Sequence, residues 1–220
     1  MNLAGGSVRS ASTIEEQIVH GCEAIPLPVE AEKVRTLARL IGLLQKWNRV
    51  YNLTAVRDPR SMVPRHILDS LVVLPFMTGE RLLDVGCGAG LPGLPLAICA
   101  PALSVTLLDA NSKKIRFVRQ AVAELGLENV NVVQSRMQEY RPAQSFDMVI
   151  SRAVASLREL HSQTSHLLAP GGRMLFMKGA LADNEIKQLT SLHEELHVER
   201  LQVPGLKAER HLLWLETTKG

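Results

Sequence analysis

The residues with the clearest chemical potential are four glycines that follow an apolar run ending in Asp84. Residues 81–98 read RLLDVGCGAGLPGLPLAI, which predicts a strand, a glycine turn and an apolar helix starting at Pro92. The turn contains Gly86, Gly88, Gly90 and Gly93. Glycines let the backbone approach a ligand where any Cβ would clash, so this arrangement is typical of a nucleotide cradle. The spacing also fits the dinucleotide fingerprint G-x-G-x-x-G, which leaves the identity of the nucleotide open.

Two acids beside the turn favour S-adenosylmethionine over NAD. Asp84 stands at the strand end, where a carboxylate is a poor neighbour for a pyrophosphate but a good one for an ammonium and a sulfonium. Asp109 closes the next apolar run, VTLLD, and an acid there can accept hydrogen bonds from both ribose hydroxyls of either nucleotide. The sequence therefore predicts a cationic methyl donor between Asp84 and Asp109, with an NAD site and an ordinary tight turn as alternatives.

The bulk composition is that of a soluble globular protein. A chain of 220 residues with 46% hydrophobic and 21% charged residues accommodates one α/β domain and a short N-terminal extension. The net charge of +3 permits a nucleic-acid partner without requiring one. Cys22, Cys87 and Cys99 form no C-x-x-C pair, which favours a reducing cytoplasm and gives no support for a metal site. No apolar run reaches ~20 residues, so we expect no membrane span.

The N-terminal part is predicted to be a helical cap. Residues 1–11 are expected to form a flexible tail, residues 12–75 the cap, and residues 76–220 the methyltransferase domain on which the cap packs as one unit. Ser12 to Glu15 is predicted to form a capping box for a first helix. Pro28 is predicted to open a second helix with an apolar stripe from Val34 to Trp47.

Strands and helices then alternate. Strands are predicted at 104–109, 130–134, 146–151 and 173–178, and helices at 111–125, 156–168 and 183–192. This alternation predicts a mostly parallel, doubly wound sheet. Two successive strands, at 197–203 and 211–216, predict an antiparallel edge hairpin, which a repeated dinucleotide domain would lack. The expected ligand site lies at the carboxyl ends of the parallel strands.

A basic segment precedes the glycine turn. Five cations and one histidine occur between residues 46 and 66, against the single acid Asp58: Lys46, Arg49, Arg57, Arg60, Arg65 and His66. Cations interleaved with aromatic residues and asparagines suit a phosphate backbone and unstacked bases. A solvated connecting surface is an equally good interpretation of this composition.

The residues after the fourth predicted strand bear on the methyl acceptor. Exocyclic amines are commonly methylated beside an Asp/Asn-Pro-Pro-aromatic loop, and pyrimidine C5 needs a nucleophilic cysteine. This chain has Ser151 and Arg152 there instead. An acceptor with its own lone pair, such as guanine N7, needs neither device, and Arg152 could orient the base through O6. The alternative for Arg152 is an ion pair that closes the strand end.

Several segments closely resemble one family, the bacterial small-subunit rRNA methyltransferases called RsmG or GidB. They are KWNRVYNLTAVRD, RHILDSL, DVGCGAGLPGLPLA, LLDANSKKIRFVRQ, VQSRMQEY, FDMVISRAVASL, FMKG and ERHLL. The resemblance implies a Rossmann-like class I S-adenosylmethionine-dependent methyltransferase with a seven-stranded sheet. It further implies methylation of N7 of one guanine in 16S rRNA, within the small ribosomal subunit or its precursor, which leaves S-adenosylhomocysteine.

The resemblance also implies individual roles. It implies cofactor contacts for Gly86, Leu91, Met137, Gln138 and Arg152, which join Asp84, Gly88, Gly90 and Asp109 from the glycine turn and its flanking acids in one predicted cofactor-binding set. Arg152 and Arg136 are the candidate catalytic residues. Four residues are expected to line the RNA side with the basic segment: Arg136, Lys178, Arg210 and His211. Cys87 stands where relatives more often have Thr or Ser, and Gln138 where they often have Glu. The implied partners include no metal and no membrane.

Two other classes of protein remain as alternatives at this point. A non-catalytic RNA-binding or assembly protein could have kept the same fold, because fold alone does not determine activity. An NAD-dependent oxidoreductase would need a hydride-handling acid or base near the cleft, and the sequence offers no clear candidate. S-adenosylmethionine binding would separate these alternatives from a methyltransferase.

Overall fold

The computed structural model of the protein describes residues 12–25, 27–152, 157–181 and 196–216. The predicted tail at 1–11 and the predicted helix at 183–192 lie outside these ranges. The described strands form one sheet in the order β3-β2-β1-β4-β5-β7-β6. Their bounds are β1 Arg81–Val85, β2 Ser104–Asp109, β3 Val130–Gln134, β4 Phe146–Arg152, β5 Leu168–Lys178, β6 Leu196–Leu201 and β7 Arg210–Glu216.

Strands β1 to β5 run parallel, and β7 is antiparallel to both of its neighbours, β5 and β6. The sheet is therefore mostly parallel with an antiparallel pair at one edge, as the sequence predicts. The register also shows that β7 is inserted between β5 and β6. This insertion brings the start of β7 to the carboxyl end of β5, where Lys178 pairs with His211.

Helices cover the sheet and form the N-terminal part. Their bounds are α1 Ile14–Ala24, α2 Ala31–Tyr51, α3 Pro59–Met62, a π-helix Val63–Leu68, α4 Asp69–Leu71, a 3₁₀ helix Leu74–Phe76, α5 Gly93–Cys99, α6 Ser112–Leu125, α7 Leu157–Thr164 and a 3₁₀ helix Ser165–Leu167. None of the helices in the described ranges combines the length and apolar character that a membrane crossing requires.

The caps of the first two helices correct the sequence prediction. The capping box of α1 is formed by Thr13 and Glu16, one residue later than predicted: Glu16 N–H donates to Thr13 Oγ1 at 3.1 Å, and Thr13 N–H to Glu16 Oε2 at 2.8 Å. Both pairs of positions fit the S/T-x-x-E pattern, so the pattern alone does not choose between them. The N-cap of α2 is Glu30, and Pro28 therefore lies outside the helix.

The start of β5 is a second correction. The sequence predicts a helix to residue 168 and a strand from residue 173, with Pro170 and two glycines as a stop. The structure instead ends α7 at Thr164 and begins β5 at Leu168, with a register irregularity against β4. A Cβ on Gly172 would lie 2.8 Å from the carbonyl oxygen of Ala169, so the chain bulges where only glycine fits.

The N-terminal helices and the sheet share one hydrophobic cluster. Buried Leu37 and Leu44 of α2 belong to the same cluster as Leu82 of β1 and Leu94 of α5. Trp47 contacts the ring of Phe117 of α6 edge to face, with 5.7 Å between ring centroids. The boundary between cap and domain at residues 75 and 76 stays a prediction.

Candidate cofactor cleft and RNA face

The glycine turn joins the end of β1 to α5 and has two distinct requirements for glycine. Gly86 has a φ of +67°, and a Cβ added there would meet no atom within 4 Å, so its backbone borders open space. Gly93 is packed instead: an added Cβ would lie 2.1 Å from Leu107 Cδ2 and 2.9 Å from Asp84 Oδ2. The turn thus presents bare backbone on its outer side and packs tightly on its inner side.

Asp84 lies beneath this turn rather than on the wall of a cleft. Its carboxyl group is fully buried, Oδ2 accepts the N–H of Gly93 at 2.8 Å, and Oδ1 has no hydrogen-bond partner among the described residues. Burial raises the pKa of this carboxyl to about 7. The sequence analysis expected Asp84 to face the methyl donor. The structure corrects this placement, because the hydrogen bond from Gly93 to Asp84 fixes the first turn of α5 instead. Its predicted contact with the cofactor stays a prediction.

A cleft of about 310 Å³ opens beside the turn at the carboxyl ends of β1, β2 and β3. It is lined by Val85, Gly86, Leu108, Asp109, Ala110, Ser135, Arg136, Met137 and Gln138. The structure thus brings together five residues that the sequence analysis singled out: Gly86, Asp109, Arg136, Met137 and Gln138. This is the position at which open α/β sheets bind their ligands.

The carboxylate of Asp109 connects the glycine turn to α6. Its Oδ2 accepts the N–H of Gly88 at 2.9 Å, and its Oδ1 accepts the N–H of Asn111 at 2.7 Å. A carboxylate oxygen accepts more than one hydrogen bond, so both oxygens retain capacity for a ligand hydroxyl. Asp109 is therefore both preorganised by the backbone and able to bind a diol.

Five residues of the predicted cofactor set do not line the cleft: Asp84, Gly88, Gly90, Leu91 and Arg152. Leu91 and Gly90 face the interior. Leu91 is buried in the hydrophobic core, and its N–H donates to the carbonyl oxygen of Cys87 at 3.0 Å. Gly90 faces inward, since an added Cβ would lie 2.4 Å from Leu94 Cδ1. In this structure both residues shape the turn, and their contact with the cofactor stays a prediction.

The acceptor side of the cleft is expected beside Arg152, at the end of β4. Its Nη1 lies 3.2 Å from Oδ2 of Asp69, and Arg210 Nε donates to Oδ1 of the same carboxylate at 2.7 Å. Asp69 is only 3% exposed. Arg152 therefore forms the ion pair that was the alternative to an acceptor contact. Burial raises the pKa of Asp84, and the positive charge of Arg152 offsets part of that rise. Arg152 thus lies within electrostatic reach of the glycine turn.

Comparison with known proteins decides the family. The family model GidB, described as rRNA small subunit methyltransferase G, matches residues 33–213. The chain belongs to this family. A ribosomal RNA small subunit methyltransferase G from Laribacter hongkongensis is 48% identical over 92% of this chain and 98% of that protein. A protein of the same name from Coxiella burnetii is 42% identical over 93% of this chain and 99% of its own length.

Solved structures show the same fold at lower identity. A SAM-dependent methyltransferase from Aquifex aeolicus gives a TM-score of 0.59 at 16% identity, covering 79% of this chain and 97% of that one. The N-methyltransferase NodS from Bradyrhizobium japonicum, in complex with S-adenosyl-L-homocysteine, gives 0.54 at 20% identity, covering 80% and 98%. These structures confirm the class I methyltransferase fold, and the family match confirms the predicted family and with it the methyl donor S-adenosylmethionine.

In this member of the methyltransferase G family, most of the basic segment is on the surface. Five cations of the segment are exposed side chains: Lys46, Arg49, Arg57, Arg60 and Arg65. The antiparallel pairing of β7 with β5 places Arg210 and His211 beside the carboxyl end of β5. His211 Nδ1 lies 2.8 Å from the carbonyl oxygen of Gly179. Lys178 and Arg152 lie at the ends of the neighbouring strands β5 and β4. Their contact with RNA stays a prediction.

His66 is a correction to the predicted RNA set. It is 6% exposed, with Nε2 at 2.8 Å from Thr54 Oγ1 and Nδ1 at 2.9 Å from the carbonyl oxygen of Arg65. Burial lowers its pKa, which favours the neutral ring. The ring thus fixes the turn between α2 and α3, and it is not available as a surface cation.

Asp69 is the functional candidate that the sequence analysis missed. The available signal was a single acid inside the mostly apolar stretch ILDSLVVL, residues 67–74. A buried acid needs a partner, but the sequence does not show that its partners are Arg152 and Arg210. Among the described residues, no group of three or more His, Cys, Asp or Glu side chains is arranged to hold a metal ion.

Proposed function

We propose that this chain transfers a methyl group from S-adenosylmethionine to N7 of one guanine in 16S rRNA. The observation that carries the proposal is the position of two features at one edge of the sheet. The cleft with Asp109 opens beside the glycine turn. Arg152 at the end of β4 and Arg210 at the start of β7, both bound to Asp69, lie on the same edge. Family membership supplies the small-subunit rRNA as substrate.

The cleft residues fit the proposed cofactor. The exposed backbone of Gly86 leaves room for a ligand, Asp109 would accept the ribose hydroxyls, and Met137 and Gln138 would border the adenine. Oδ1 of Asp84 is fully buried and has no hydrogen-bond partner among the described residues, so the ionised carboxyl would supply a negative charge under the turn. When bound, S-adenosylmethionine supplies an electrophilic methyl group on a sulfonium.

The acceptor side suits an atom that already owns a lone pair. Guanine N7 needs no general base and no covalent intermediate, so the task of the protein is to hold the base in line with the methyl group and to exclude water. Arg152 would orient the guanine by donating to O6, since donation to N7 would occupy the attacking lone pair. Cys87 offers no competing nucleophile, because burial raises its thiol pKa well above the ordinary value.

We further propose that residues 12–75 act as a cap that carries RNA-binding cations to the cleft. The exposed arginines Arg57, Arg60 and Arg65 lie on the segment that leads to Asp69, which the structure joins to Arg152. The proposed substrate is the small ribosomal subunit or its precursor. A cytoplasmic enzyme without a metal or a membrane partner follows from that substrate and chemistry.

The test is transfer of a labelled methyl group to small subunits that lack the modification, with protein-free 16S rRNA in parallel. Chemical cleavage at 7-methylguanine then locates the product. We expect one cleavage site that appears only with the active protein and the methyl donor. Label without cleavage would indicate another acceptor atom. Binding of S-adenosylmethionine without transfer to either substrate would favour a non-catalytic RNA-binding protein, and each result would overturn the proposal.

A further inference from the structure

One buried carboxylate holds two arginines at the acceptor edge. Asp69 accepts from Arg152 through Oδ2, at 3.2 Å, and from Arg210 through Oδ1, at 2.7 Å. Both arginine side chains are about one quarter exposed, at 23% and 25%, whereas that of Asp69 is 4% exposed. We call these three residues the Asp69 clamp. Each oxygen of one carboxylate thus binds a different guanidinium.

The clamp joins three segments that are far apart in the sequence. Asp69 directly follows the π-helix Val63–Leu68, Arg152 ends β4, and Arg210 begins β7. The loop before β7 also packs on the π-helix, since a Cβ on Gly205 would contact Pro64 Cβ at 3.5 Å. π-Helical turns are rare and frequently occur at functional sites. The N-terminal part of the chain therefore fixes the side chains of two strands at the edge where a base would enter.

Electrostatics makes the carboxylate necessary for this arrangement. Guanidinium groups stay protonated, so Arg152 and Arg210 repel one another in the half-buried site. The charge of Asp69 between them offsets this repulsion and fixes the direction of each side chain. Arg152 also donates from Nη1 to the carbonyl oxygen of Arg65 at 3.4 Å, and Arg210 from Nη1 to that of Glu209 at 2.8 Å. These carbonyl oxygens are neutral, so they could not replace the negative charge of Asp69 if it were removed.

We infer that Asp69 is a positioning residue for methyl transfer, which acts by holding Arg152 and Arg210 at the edge of the sheet where the guanine enters. The inference rests on the proposed function. It assigns no contact between Asp69 and the substrate or the cofactor, because the carboxylate is buried and both of its oxygens bind arginine. A clamp that only stabilised the fold would leave the rate of the folded enzyme unchanged.

The test compares Asp69→Asn with Glu216→Gln in the labelled transfer assay. Glu216 forms an ion pair with Arg173 of β5 at the opposite end of β7. Glu216→Gln therefore also removes one carboxylate charge from an ion pair with arginine, but away from the cleft. We expect Asp69→Asn to lower kcat about 10- to 100-fold, because displaced arginines leave the base misaligned. The KM for S-adenosylmethionine should stay within about threefold, and Glu216→Gln should have near-normal kcat.

A double-mutant comparison separates positioning from general stability. The loss of kcat caused by Asp69→Asn should shrink in an Arg152→Gln background, since one of its two partners is already gone. Equal losses in both backgrounds would overturn the inference, as would a wild-type kcat in Asp69→Asn. If Asp69→Asn shows no cooperative melting, Asp69→Glu takes its place. This variant keeps the charge and shifts the carboxylate, and a folded Asp69→Glu enzyme with wild-type kcat would equally overturn the inference.

The wild-type reaction distinguishes a failure of the proposed function from a failure of the positioning role of Asp69. A wild-type protein that binds S-adenosylmethionine but forms no 7-methylguanine would overturn the proposed function, and the inference with it. A wild-type protein that forms 7-methylguanine, with variants that do so at the same rate, would overturn the inference alone.

Discussion

At the scale of single residues, Asp109 connects the backbone of the glycine turn to the proposed ribose site. Asp109→Ala removes a charged acceptor for the ribose hydroxyls and releases the N–H groups of Gly88 and Asn111. We expect the affinity for S-adenosylmethionine to fall at least about tenfold, since one hydrogen bond to a charged group contributes about 1.5–3 kcal/mol. Calorimetric titration measures this change. An unchanged Kd in a variant with a normal melting temperature would remove Asp109 from the ribose site.

Asp84 predicts a pH dependence of stability. Its pKa rises from 3.8 in the unfolded chain to about 7 in the folded protein, because the carboxyl is fully buried. Between these values the folded state binds a proton that the unfolded state has lost, so the free energy of unfolding falls as the pH rises from about 4 to about 7 and then levels off. From pH 5 to pH 8 the expected loss from this group is about 2–3 kcal/mol.

Urea unfolding of the wild type and of Asp84→Asn at pH 5 and pH 8 measures this contribution. The amide cannot ionise and keeps an acceptor for the N–H of Gly93, so the variant should lack this part of the pH dependence. The difference between the two proteins is the relevant quantity, because other groups titrate in both. Equal pH dependence in both proteins would mean that Asp84 titrates near its ordinary pKa in the folded state.

Some of these residues could be predicted from the sequence because their partners are close along the chain. Asn111 caps α6 through the N–H groups of Lys113 and Lys114, and Gly126 ends the helix with a left-handed φ, as expected. The role of Asp69 could not be predicted in this way. Its partners Arg152 and Arg210 are 83 and 141 residues away, and only the sheet order, with antiparallel β7 next to β5, brings the end of β4 and the start of β7 close to Asp69.

At the scale of elements, the basic segment, which runs from the last turns of α2 into the π-helix, predicts a salt-dependent RNA interaction. Replacing Arg57, Arg60 and Arg65 together by Gln removes three exposed cations. We expect weaker binding to 16S rRNA and a plot of log K against log salt concentration that is flatter by about 2–3 units, because each lost phosphate contact contributes about 0.7–0.9. Titrations of labelled RNA at several salt concentrations give this slope.

The matched control removes the same charge elsewhere. Arg35 of α2 and Arg116 and Arg119 of α6 are exposed cations that lie outside the basic segment and do not line the cleft. Their replacement by Gln should leave the salt slope nearly unchanged. If both triple variants flatten the slope equally, the effect is one of net charge, and the basic segment is not the RNA face.

The bounds of the strands show which elements a local sequence pattern predicts and which depend on distant pairing. The strands β2 and β3 have the predicted bounds, because an apolar run flanked by polar residues and turns defines them locally. The start of β5 differs from the prediction, since Pro170 and Gly171 indicate a loop by their types. Pairing with β4 instead continues the strand across them as an irregularity. His66 differs for the same reason, because its burial depends on how the π-helix packs.

At the scale of the whole molecule, the shared hydrophobic cluster predicts that the cap and the sheet unfold together. The chain contains two tryptophans, and the structure places Trp47 on α2 and Trp214 on β7. Trp47→Phe and Trp214→Phe therefore each leave one fluorescent reporter, one in the sheet and one in the cap. We expect both variants to show one transition with the same midpoint by fluorescence and by circular dichroism, after correction for the stability change of each variant.

A core substitution in the cap extends this test. Leu44 is fully buried and belongs to the cluster that contains Leu82 of β1, so Leu44→Ala should cost about 2–5 kcal/mol of unfolding free energy. In one cooperative unit, the midpoint reported by Trp214 in the sheet shifts as far as that reported by Trp47 in the cap. A shift confined to the Trp47 signal would show that residues 12–75 unfold as a separate domain. Asp69 would then hold Arg152 and Arg210 only while residues 12–75 are docked on the sheet. The position of both arginines would therefore depend on the contact between the two parts of the chain.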